Sequence, residues 1–434
     1  MFAQQVQPKI QQSLSIWEIL NGEEMPVGAW VAPPPADVNG IGNPSFISNK
    51  YYQLAKKAGI NILYGLYESL ETRPHDVLTA MNCALQSRLR YLAFSSGISL
   101  KKSMDEMQAD LTGFCTDHPA YLGVLVYDEP AEAEFDQLEK LASYYHSMLP
   151  EKLFYANLLP YCAKVTQIKK RKQDESGRPT TIQEYKNYLE TFIQKLDPAV
   201  ISFDNYPCEG AFPEMANHYF LNLSMVSAAA QKYKKPAWCF IQTCSWKPNV
   251  RVPSAAEILW QVNTALAYGM KGIQYFTFWQ PLADGVWRGG MIAPNGEIYP
   301  QYYYVQDANR QIQLCQHLLM KSEFAGIMLH GASPAPIPEQ DILPFFGPLA
   351  GISGEIPVLA GCFKLQGKAG IYVVNNSLTQ KGEATLHFRE PVKGELYHLA
   401  GTRPFAEKRL TVALEPGAAA YIKTDCGLLS CIKQ

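Results

Sequence analysis

Eight short apolar segments recur along most of the chain, and each is followed by a stretch with helical periodicity. Near-continuous apolar segments of this kind are typical of strands buried on both faces of a parallel sheet. They occupy residues 26–32, 61–67, 90–96, 121–127, 153–159, 199–204, 236–242 and 271–278. Stretches with an apolar stripe, which predict helices, cover residues 46–58, 73–87, 99–114, 132–147, 180–195, 212–232, 253–268 and 300–320.

Eight strand–helix repeats predict a (β/α)₈ TIM barrel, in which parallel strands close into a cylinder inside a ring of helices. An open doubly wound sheet is the alternative, but no glycine-rich dinucleotide fingerprint follows the first strand. Beyond the repeats, alternating segments such as AGIYVVNN and RLTVALEPGAAAYIK predict the antiparallel strands of a small β-sandwich. We therefore expect an N-terminal extension at 1–25, a barrel at 26–322 and a C-terminal β-sandwich domain at 323–434.

The composition excludes several classes of partner. The 434 residues carry 38 basic and 40 acidic side chains, so electrostatic capture of nucleic acid is not expected. The basic run KKRK at 169–172 is interpreted as a solvated loop. No apolar run reaches the roughly 18 residues of a membrane span. Because the start MFAQQVQPKIQQ lacks an apolar signal core, we expect a cytoplasmic protein or, preferably, a secreted or periplasmic one whose signal peptide was removed.

Several kinds of catalysis find no support in the residues. The ten cysteines form no C-x-x-C pair and no Cys/His cluster with the spacing of a zinc site. A serine hydrolase would need a G-x-S-x-G turn, which is absent. No lysine ends a predicted barrel strand, as Schiff-base chemistry would require. The sequence thus predicts an enzyme that needs no metal and no other cofactor.

The fourth predicted strand ends on two adjacent acids, in the sequence GVLVYDEP at 123–130. Burial disfavours the charged form of a carboxylate, so two acids at the rim of an apolar core cost free energy. Such pairs are often used for acid–base chemistry. The alternative is an ordinary turn in which Asp128 caps the helix that follows Pro130. The two interpretations differ in where the carboxyl groups of Asp128 and Glu129 point.

The functional site of such a barrel lies at the carboxyl ends of its strands. The residues predicted there are acids, amides and aromatics, which suit a sugar, since aromatic faces stack on pyranose rings and polar groups bind hydroxyls. They are Trp30, Tyr67, Glu68, Ser95, Ser96, Asp128, Glu129, Asn157, Asp204, Asn205, Tyr206, Gln242, Trp246 and Trp279, with Trp287 shortly after the eighth strand.

The YDEP element resembles the fourth-strand motif of retaining glycoside hydrolases in the large (β/α)₈ clan that includes β-galactosidases and cellulases. In that clan Asn-Glu or Asn-Glu-Pro ends the strand, and the Glu is the general acid/base. Here Asp128 stands in place of the Asn, and Glu129 matches the Glu. The segments ANLLPYC, ISFDNYP and AYGMKGIQYFTFWQP also look like bacterial β-galactosidase-like proteins of this group. The resemblance implies a glycoside hydrolase with a carbohydrate substrate and Glu129 as general acid.

The chain departs from the clan at the seventh strand. The clan's nucleophile is a Glu at the end of that strand, whereas here the strand reads WCFIQTCSW and Gln242 takes about that place. An amide cannot form the glycosyl ester of the two-carboxylate retaining mechanism. The second catalytic group must therefore come from elsewhere.

Three hypotheses complete the site. In the favoured one, Asp204 is the second carboxylate, although it could instead cap the loop before Pro207. In the second, Asp128 orients the 2-acetamido group of the substrate as nucleophile, as the Asp of an Asp-Glu pair does in N-acetylhexosaminidases of another family. In the third, the barrel binds glycans without catalysis. In each case we expect the substrate to contact Trp30, Glu68, Asn157, Asn205, Tyr206, Gln242, Trp246, Trp279 and Trp287.

Overall fold

The computed structural model describes residues 24–95, 102–111, 115–169, 177–282 and 285–428. The predicted extension therefore lies outside the described residues except for Glu24 and Met25, and so does KKRK except for Lys169. The barrel strands are β1 (Val27–Ala29), β2 (Ile62–Ser69), β3 (Arg90–Phe94), β4 (Tyr121–Asp128), β5 (Leu153–Leu158), β6 (Ile201–Phe203), β7 (Ala237–Gln242) and β9 (Gly272–Phe276). Between the last two lies β8 (Cys244–Ser245), which pairs antiparallel with β10 (Arg288–Gly289).

The eight parallel strands close into a barrel, because β9 pairs with β7 on one side and with β1 on the other. The predicted TIM barrel is therefore confirmed. Its helices are α1 (Asn49–Lys57), α2 (Pro74–Gln86), α3 (Met104–Leu111), α4 (Phe135–Met148), α5 (Val165–Lys169), α6 (Ile182–Leu196), α7 (Tyr219–Tyr233), α8 (Ala255–Ala267) and α9 (Pro300–Leu319). None of the helices in the described ranges is both long enough and apolar enough to span a membrane.

The barrel interior holds a layer of large polar side chains below the mouth. The Tyr155 hydroxyl lies 2.6 Å from both Gln274 Oε1 and Ser202 Oγ, and Gln274 Nε2 donates to Ser202 Oγ at 2.8 Å. Ser202 Oγ then donates to Asn157 Oδ1 at 2.9 Å. Because its oxygen is held from below, the amide nitrogen of Asn157 points up toward the mouth.

The chain after α9 forms a seven-stranded antiparallel sheet. The long strand β15 (Gly382–His398) pairs with β12 (Leu349–Gly354) through its first part and with β17 (Ala419–Gly427) through its last part. A hydrophobic cluster separate from the barrel core packs on the sheet. The predicted C-terminal β domain is confirmed in its antiparallel strands. They are β11 (Glu323–His330), β12 (Leu349–Gly354), β13 (Val358–Leu365), β14 (Lys368–Asn375), β15 (Gly382–His398), β16 (Gly401–Leu414) and β17 (Ala419–Gly427).

Helix α8 joins the barrel to this sheet through buried polar contacts. Trp260 Nε1 donates to Asn376 Oδ1 at 2.8 Å. Asn263 Nδ2 donates to the Gly417 carbonyl at 2.8 Å, and its Oδ1 accepts from the Tyr372 hydroxyl at 2.6 Å. These bonds satisfy polar groups that the interface removes from water.

Strand β4, which carries the paired acids, is irregular. Its register shifts beside Gly123 against β3 and between Leu125 and Tyr127 against β5. Such bulges bend a strand and re-aim the side chains beyond them. A Cβ atom on Gly123 would stand 2.0 Å from the Leu153 carbonyl oxygen of β5. Glycine is therefore required where β4 approaches its neighbour this closely.

We expect Gly123→Ala to lower the free energy of unfolding by about 3 kcal/mol or more, the upper end of overpacking costs, because the clash is with backbone. Thermal and denaturant unfolding measure the loss. Gly351→Ala in β12 is the matched control, since a Cβ there meets no described atom within 4 Å. Equal stability of the two variants would contradict the assigned close approach.

Candidate active site

The acids of the YDEP turn face the barrel mouth. Asp128 Oδ1 accepts a hydrogen bond from Asn157 Nδ2 at 3.3 Å. The short 3₁₀ helix that follows is capped by Glu134, whose Oε2 accepts from the backbone N–H of Ala131 at 2.8 Å. The Tyr188 hydroxyl holds the turn from outside by donating to the Pro130 carbonyl at 2.8 Å. The interpretation in which Asp128 is a helix cap is therefore wrong.

Glu129 has a left-handed backbone, with a φ of 56°. Successive residues of a regular strand point to opposite faces, so this conformation allows the charges of both Asp128 and Glu129 to act on the same third carboxyl group. A side chain other than glycine costs on the order of 1–2 kcal/mol there. The Glu129 N–H offsets part of that cost by donating to the Asn157 carbonyl at 2.8 Å. Local strain of this kind is concentrated at functional sites.

That third group is Asp204, which follows β6 and is 7% exposed. Its carboxyl group is hydrogen-bonded to that of Glu129. Asp204 Oδ1 also accepts from Asn157 Nδ2 at 2.8 Å and from the Tyr206 hydroxyl at 3.1 Å. The Asn157 amide therefore bridges Asp128 and Asp204. We call Asp128, Glu129 and Asp204 the carboxyl cluster.

The pKa of every member of the carboxyl cluster is raised, and burial is the largest cause in each case. For Asp128, burial and the charge of Glu129 raise the pKa to about 7. The pKa of Asp204 lies well above its ordinary value, because it is buried and faces both neighbours. The Asp128 and Glu129 side chains are exposed to solvent, whereas Asp204 is buried. Two carboxyl groups in hydrogen-bond contact share a proton.

A cleft of about 600 Å³ opens beside Asp128. Phe276 and Trp287 line it side by side, with ring centroids 5.7 Å apart. The Tyr206 ring packs on Phe276 at 5.4 Å but is not among the lining residues. Trp246, also expected to contact the sugar, packs against Tyr206 at 5.0 Å and likewise does not line the cleft. The volume and lining suit a short oligosaccharide. The cleft is lined by Trp30, Val31, Leu66, Tyr67, Phe94, Ser95, Leu125, Val126, Tyr127, Asp128, Phe276, Pro281 and Trp287.

Gln242 does not reach the cleft, contrary to the expectation that it holds a sugar hydroxyl. The side chain is fully buried. Its Oε1 accepts from the Cys208 N–H at 3.1 Å, and its Nε2 donates to the carbonyls of Arg251 at 2.9 Å and Cys244 at 3.1 Å. Gln242 therefore fixes the loops around the mouth.

Three other expected contacts also lie away from the cleft. Trp279 is fully buried, with ring centroids 4.6 Å from Phe46 and 4.9 Å from Tyr51. Asn205 is buried and donates to the Tyr219 carbonyl at 3.2 Å. Glu68 is buried and accepts from the Tyr91 hydroxyl. All three stand next to strand ends, but their side chains point into the packing between strands, helices and loops.

The structure also adds lining residues that sequence reasoning did not select. Four of them belong to apolar segments whose pattern predicts buried core positions: Leu66, Phe94, Tyr127 and Phe276. The position of Phe276 as the last residue of β9 is the one signal that could have identified it. Ser96, expected beside Ser95, lies outside the described residues. Within the described ranges no group of His, Cys, Asp and Glu is arranged to hold a metal ion.

No protein-family model matches the chain, and no curated protein matches its sequence. Solved structures match its fold. A GH42 β-galactosidase from G. stearothermophilus, determined as a catalytic mutant, has a TM-score of 0.59 at 9% identity, and the match covers 92% of this chain and 98% of that protein. The chain shares the barrel fold of glycoside hydrolases.

Two further solved structures are similar to the chain in fold. A candidate α-galactosidase from Bacteroides fragilis has a TM-score of 0.52 at 8% identity, over 93% of this chain and 80% of that protein. A β-galactosidase from the psychrophilic Marinomonas ef1 has a TM-score of 0.49 at 11% identity. That match covers 69% of this chain and 62% of the Marinomonas protein, less than two thirds of its length. The resemblance to barrel glycoside hydrolases is thus confirmed in the fold.

Proposed function

We propose that the protein is a glycoside hydrolase that cleaves O-glycosidic bonds of an oligo- or polysaccharide at the carboxyl cluster. The observation that carries the proposal is the contact between Glu129 and Asp204, two carboxyl groups that share a proton beside an aromatic cleft. A third carboxyl group, Asp128, lines the cleft itself. Assembling three acids costs stability, which favours a chemical use for them over sugar binding alone.

Glu129 is the proposed general acid and Asp204 the second carboxylate. Glu129 reaches the solvent of the mouth, whereas Asp204 is buried and receives hydrogen bonds from Asn157 and Tyr206. Those two donors favour the ionised form of Asp204. When a sugar binds, the shared proton moves to Glu129, which delivers it to the leaving oxygen. Asp204 is left as the carboxylate that attacks the anomeric carbon or activates a water molecule.

The resting separation requires a movement of Glu129. The carboxyl groups of retaining enzymes stand about 5–5.5 Å apart and those of inverting enzymes about 6.5–9.5 Å apart. Hydrogen-bonded carboxyl groups are closer than either separation. The entering sugar must therefore part Glu129 from Asp204, and Glu129 lies at the open mouth where its side chain has room to rotate.

A second candidate function, N-acetylhexosaminidase, is favoured by the place of Asp128. Its carboxyl group lines the same cleft beside Glu129 and is held by Asn157. The seventh strand supplies no acid between Trp238 and Trp246. In this mechanism Asp128 orients the substrate's acetamido group, which attacks the anomeric carbon, and Glu129 remains the acid.

A panel of nitrophenyl glycosides, with and without a 2-acetamido group, tests the proposal. We expect turnover of at least one sugar without that group, and the anomer first released, followed by NMR, then shows whether configuration is retained. Turnover restricted to 2-acetamido sugars would replace the first mechanism with the second. Binding of glycans with no turnover of any substrate would overturn both.

A further inference from the structure

Strand β2 contains a bulge in the wall of the cleft. Tyr64 pairs with Leu92 and Ser69 with Phe94, so four residues, 65–68, stand opposite the single residue Ala93. We call residues 65–68 the β2 bulge. Its Leu66 and Tyr67 line the cleft. The Tyr67 hydroxyl also accepts from the Leu282 N–H at 2.8 Å, which ties the bulge to the loop after β9.

The last residue of the bulge, Glu68, turns away from the cleft and is fully buried. Its Oε1 accepts from the Tyr91 hydroxyl of β3. Its Oε2 finds no hydrogen-bond partner among the described residues, and neither does the buried Tyr52 hydroxyl of α1. A buried carboxylate with one free oxygen is unfavourable, so the site favours the neutral acid.

The ionisable groups around Glu68 come from every packed element. Tyr52 lies on α1, Asp76 on α2 with Arg73 just before it, and Tyr91 on β3, while Cys83 of α2 acts on Tyr52. Burial is the largest influence and raises the pKa of Glu68 to about 7, although the Tyr91 hydrogen bond and Arg73 act in the opposite direction. Glu68 is therefore neutral in mildly acidic solution and becomes ionised above neutral pH.

We propose that Glu68 is a positioning residue: as a neutral acid it anchors the β2 bulge to Tyr91, and it thereby holds Leu66 and Tyr67 in the cleft wall. Its ionisation strengthens the bond from Tyr91 but places charge on the buried Oε2, which has no hydrogen-bond partner among the described residues. The charged form therefore favours local opening of the β2 bulge and weakens sugar binding without touching the reacting atoms. The effect on catalysis rests on the proposed function, whereas the effect on the bulge does not.

The sign of the linked stability change follows from the raised pKa. The folded chain binds the Glu68 proton more tightly than the unfolded chain, whose Glu has a pKa of 4.5. The resulting stabilisation is complete below about pH 4.5 and is lost as the pH rises to about 7. Glu68→Gln, which cannot ionise, removes this part of the pH dependence.

The test compares the wild type, Glu68→Gln and Glu68→Ala between pH 5.5 and 8.5. Hydrogen exchange of residues 62–70, corrected for the intrinsic pH effect, reports on the bulge without any substrate. We expect exchange to rise several-fold from pH 5.5 to about pH 7 in the wild type and to level off above it, to stay flat in Glu68→Gln and to be high throughout in Glu68→Ala. Exchange in Glu68→Gln that follows the wild type, or protection in Glu68→Ala, would overturn the proposal.

Kinetics on a substrate that the wild type hydrolyses gives the second measurement. KM is expected to rise several-fold from pH 6 to pH 8 in the wild type and to be independent of pH in Glu68→Gln. Glu68→Ala should raise KM about tenfold with kcat little changed. If kcat falls instead, Glu68 is not a positioning residue. If no substrate is hydrolysed, the proposed function fails while hydrogen exchange still decides the role of Glu68.

Discussion

Glu129→Gln is expected to lower kcat for nitrophenyl glycosides by about 10²–10⁴-fold, because the amide cannot donate the proton that the leaving oxygen needs. The loss should be much smaller for dinitrophenyl glycosides, whose leaving group departs without protonation. Steady-state kinetics on the two substrate classes measures the difference. Undiminished turnover of the nitrophenyl substrate would exclude Glu129 as the acid. Equal losses on both substrates would assign it another role.

Folding gives a second readout for the same variant. Removing one of three neighbouring acids relieves repulsion within the carboxyl cluster, so the melting temperature of Glu129→Gln should equal or exceed that of the wild type. The matched control is Glu151→Gln, an exposed position just before β5 at the opposite end of the barrel. That control should leave both kcat and the melting temperature unchanged.

Asp204→Asn is expected to lower kcat on sugars without a 2-acetamido group by about 10²–10⁴-fold relative to the wild type. The variant has neither a nucleophile nor a base opposite the acid. The role of Asp204 is decided by comparing this loss in kcat with the loss on N-acetylhexosaminides. If both substrate classes are lost, Asp204 is the second carboxylate. If N-acetylhexosaminides are still cleaved at the wild-type rate, Asp204 is neither nucleophile nor base, and Asp128 with the substrate's own acetamido group replaces it.

Stability also distinguishes this variant, because the pKa of Asp204 is raised by burial and by its acidic neighbours. The folded chain holds that proton more tightly than the unfolded chain, so the stabilisation is present at acid pH and is lost as the pH rises. Asparagine carries no such loss. Thermal unfolding should therefore show Asp204→Asn above the wild type at pH 8, with the difference disappearing near pH 4. A variant less stable than the wild type at pH 8 would contradict the raised pKa.

The sequence pattern identified the barrel because strands buried on both faces have nearly unbroken apolar runs, and helices that cover them have apolar stripes. Each of the eight predicted strands overlaps an observed one. Several short elements of the barrel, and strands β11, β12 and β13 of the C-terminal sheet, were not predicted. Helix α5 has five residues, and β8 and β10 have two each, which is too short for any periodicity to show.

The site was predicted less completely than the fold. The sequence predicted the carboxyl cluster, Asn157 and Tyr206 at one end of the barrel because they directly follow or end buried strands, and the structure brings them into one hydrogen-bonded group. Glu68 was placed in the cleft wrongly, because a bulge changes which face a side chain takes and leaves no mark in the alternation of residues. The contact between Glu129 and Asp204 depends on the left-handed backbone at Glu129, which residue types alone do not reveal.

Helix α8 limits whether the C-terminal sheet can be transferred from this barrel to another protein. Its Trp260 and Asn263 donate buried hydrogen bonds to the C-terminal sheet, and Tyr372 of the sheet donates back. Cutting the sheet away would also expose apolar surface of the barrel to water, because Leu359 and Phe363 of the sheet belong to the same hydrophobic cluster as the barrel core. The sheet is therefore not an exchangeable module. Domain shuffling that transplants it into another barrel would have to carry α8 along with it.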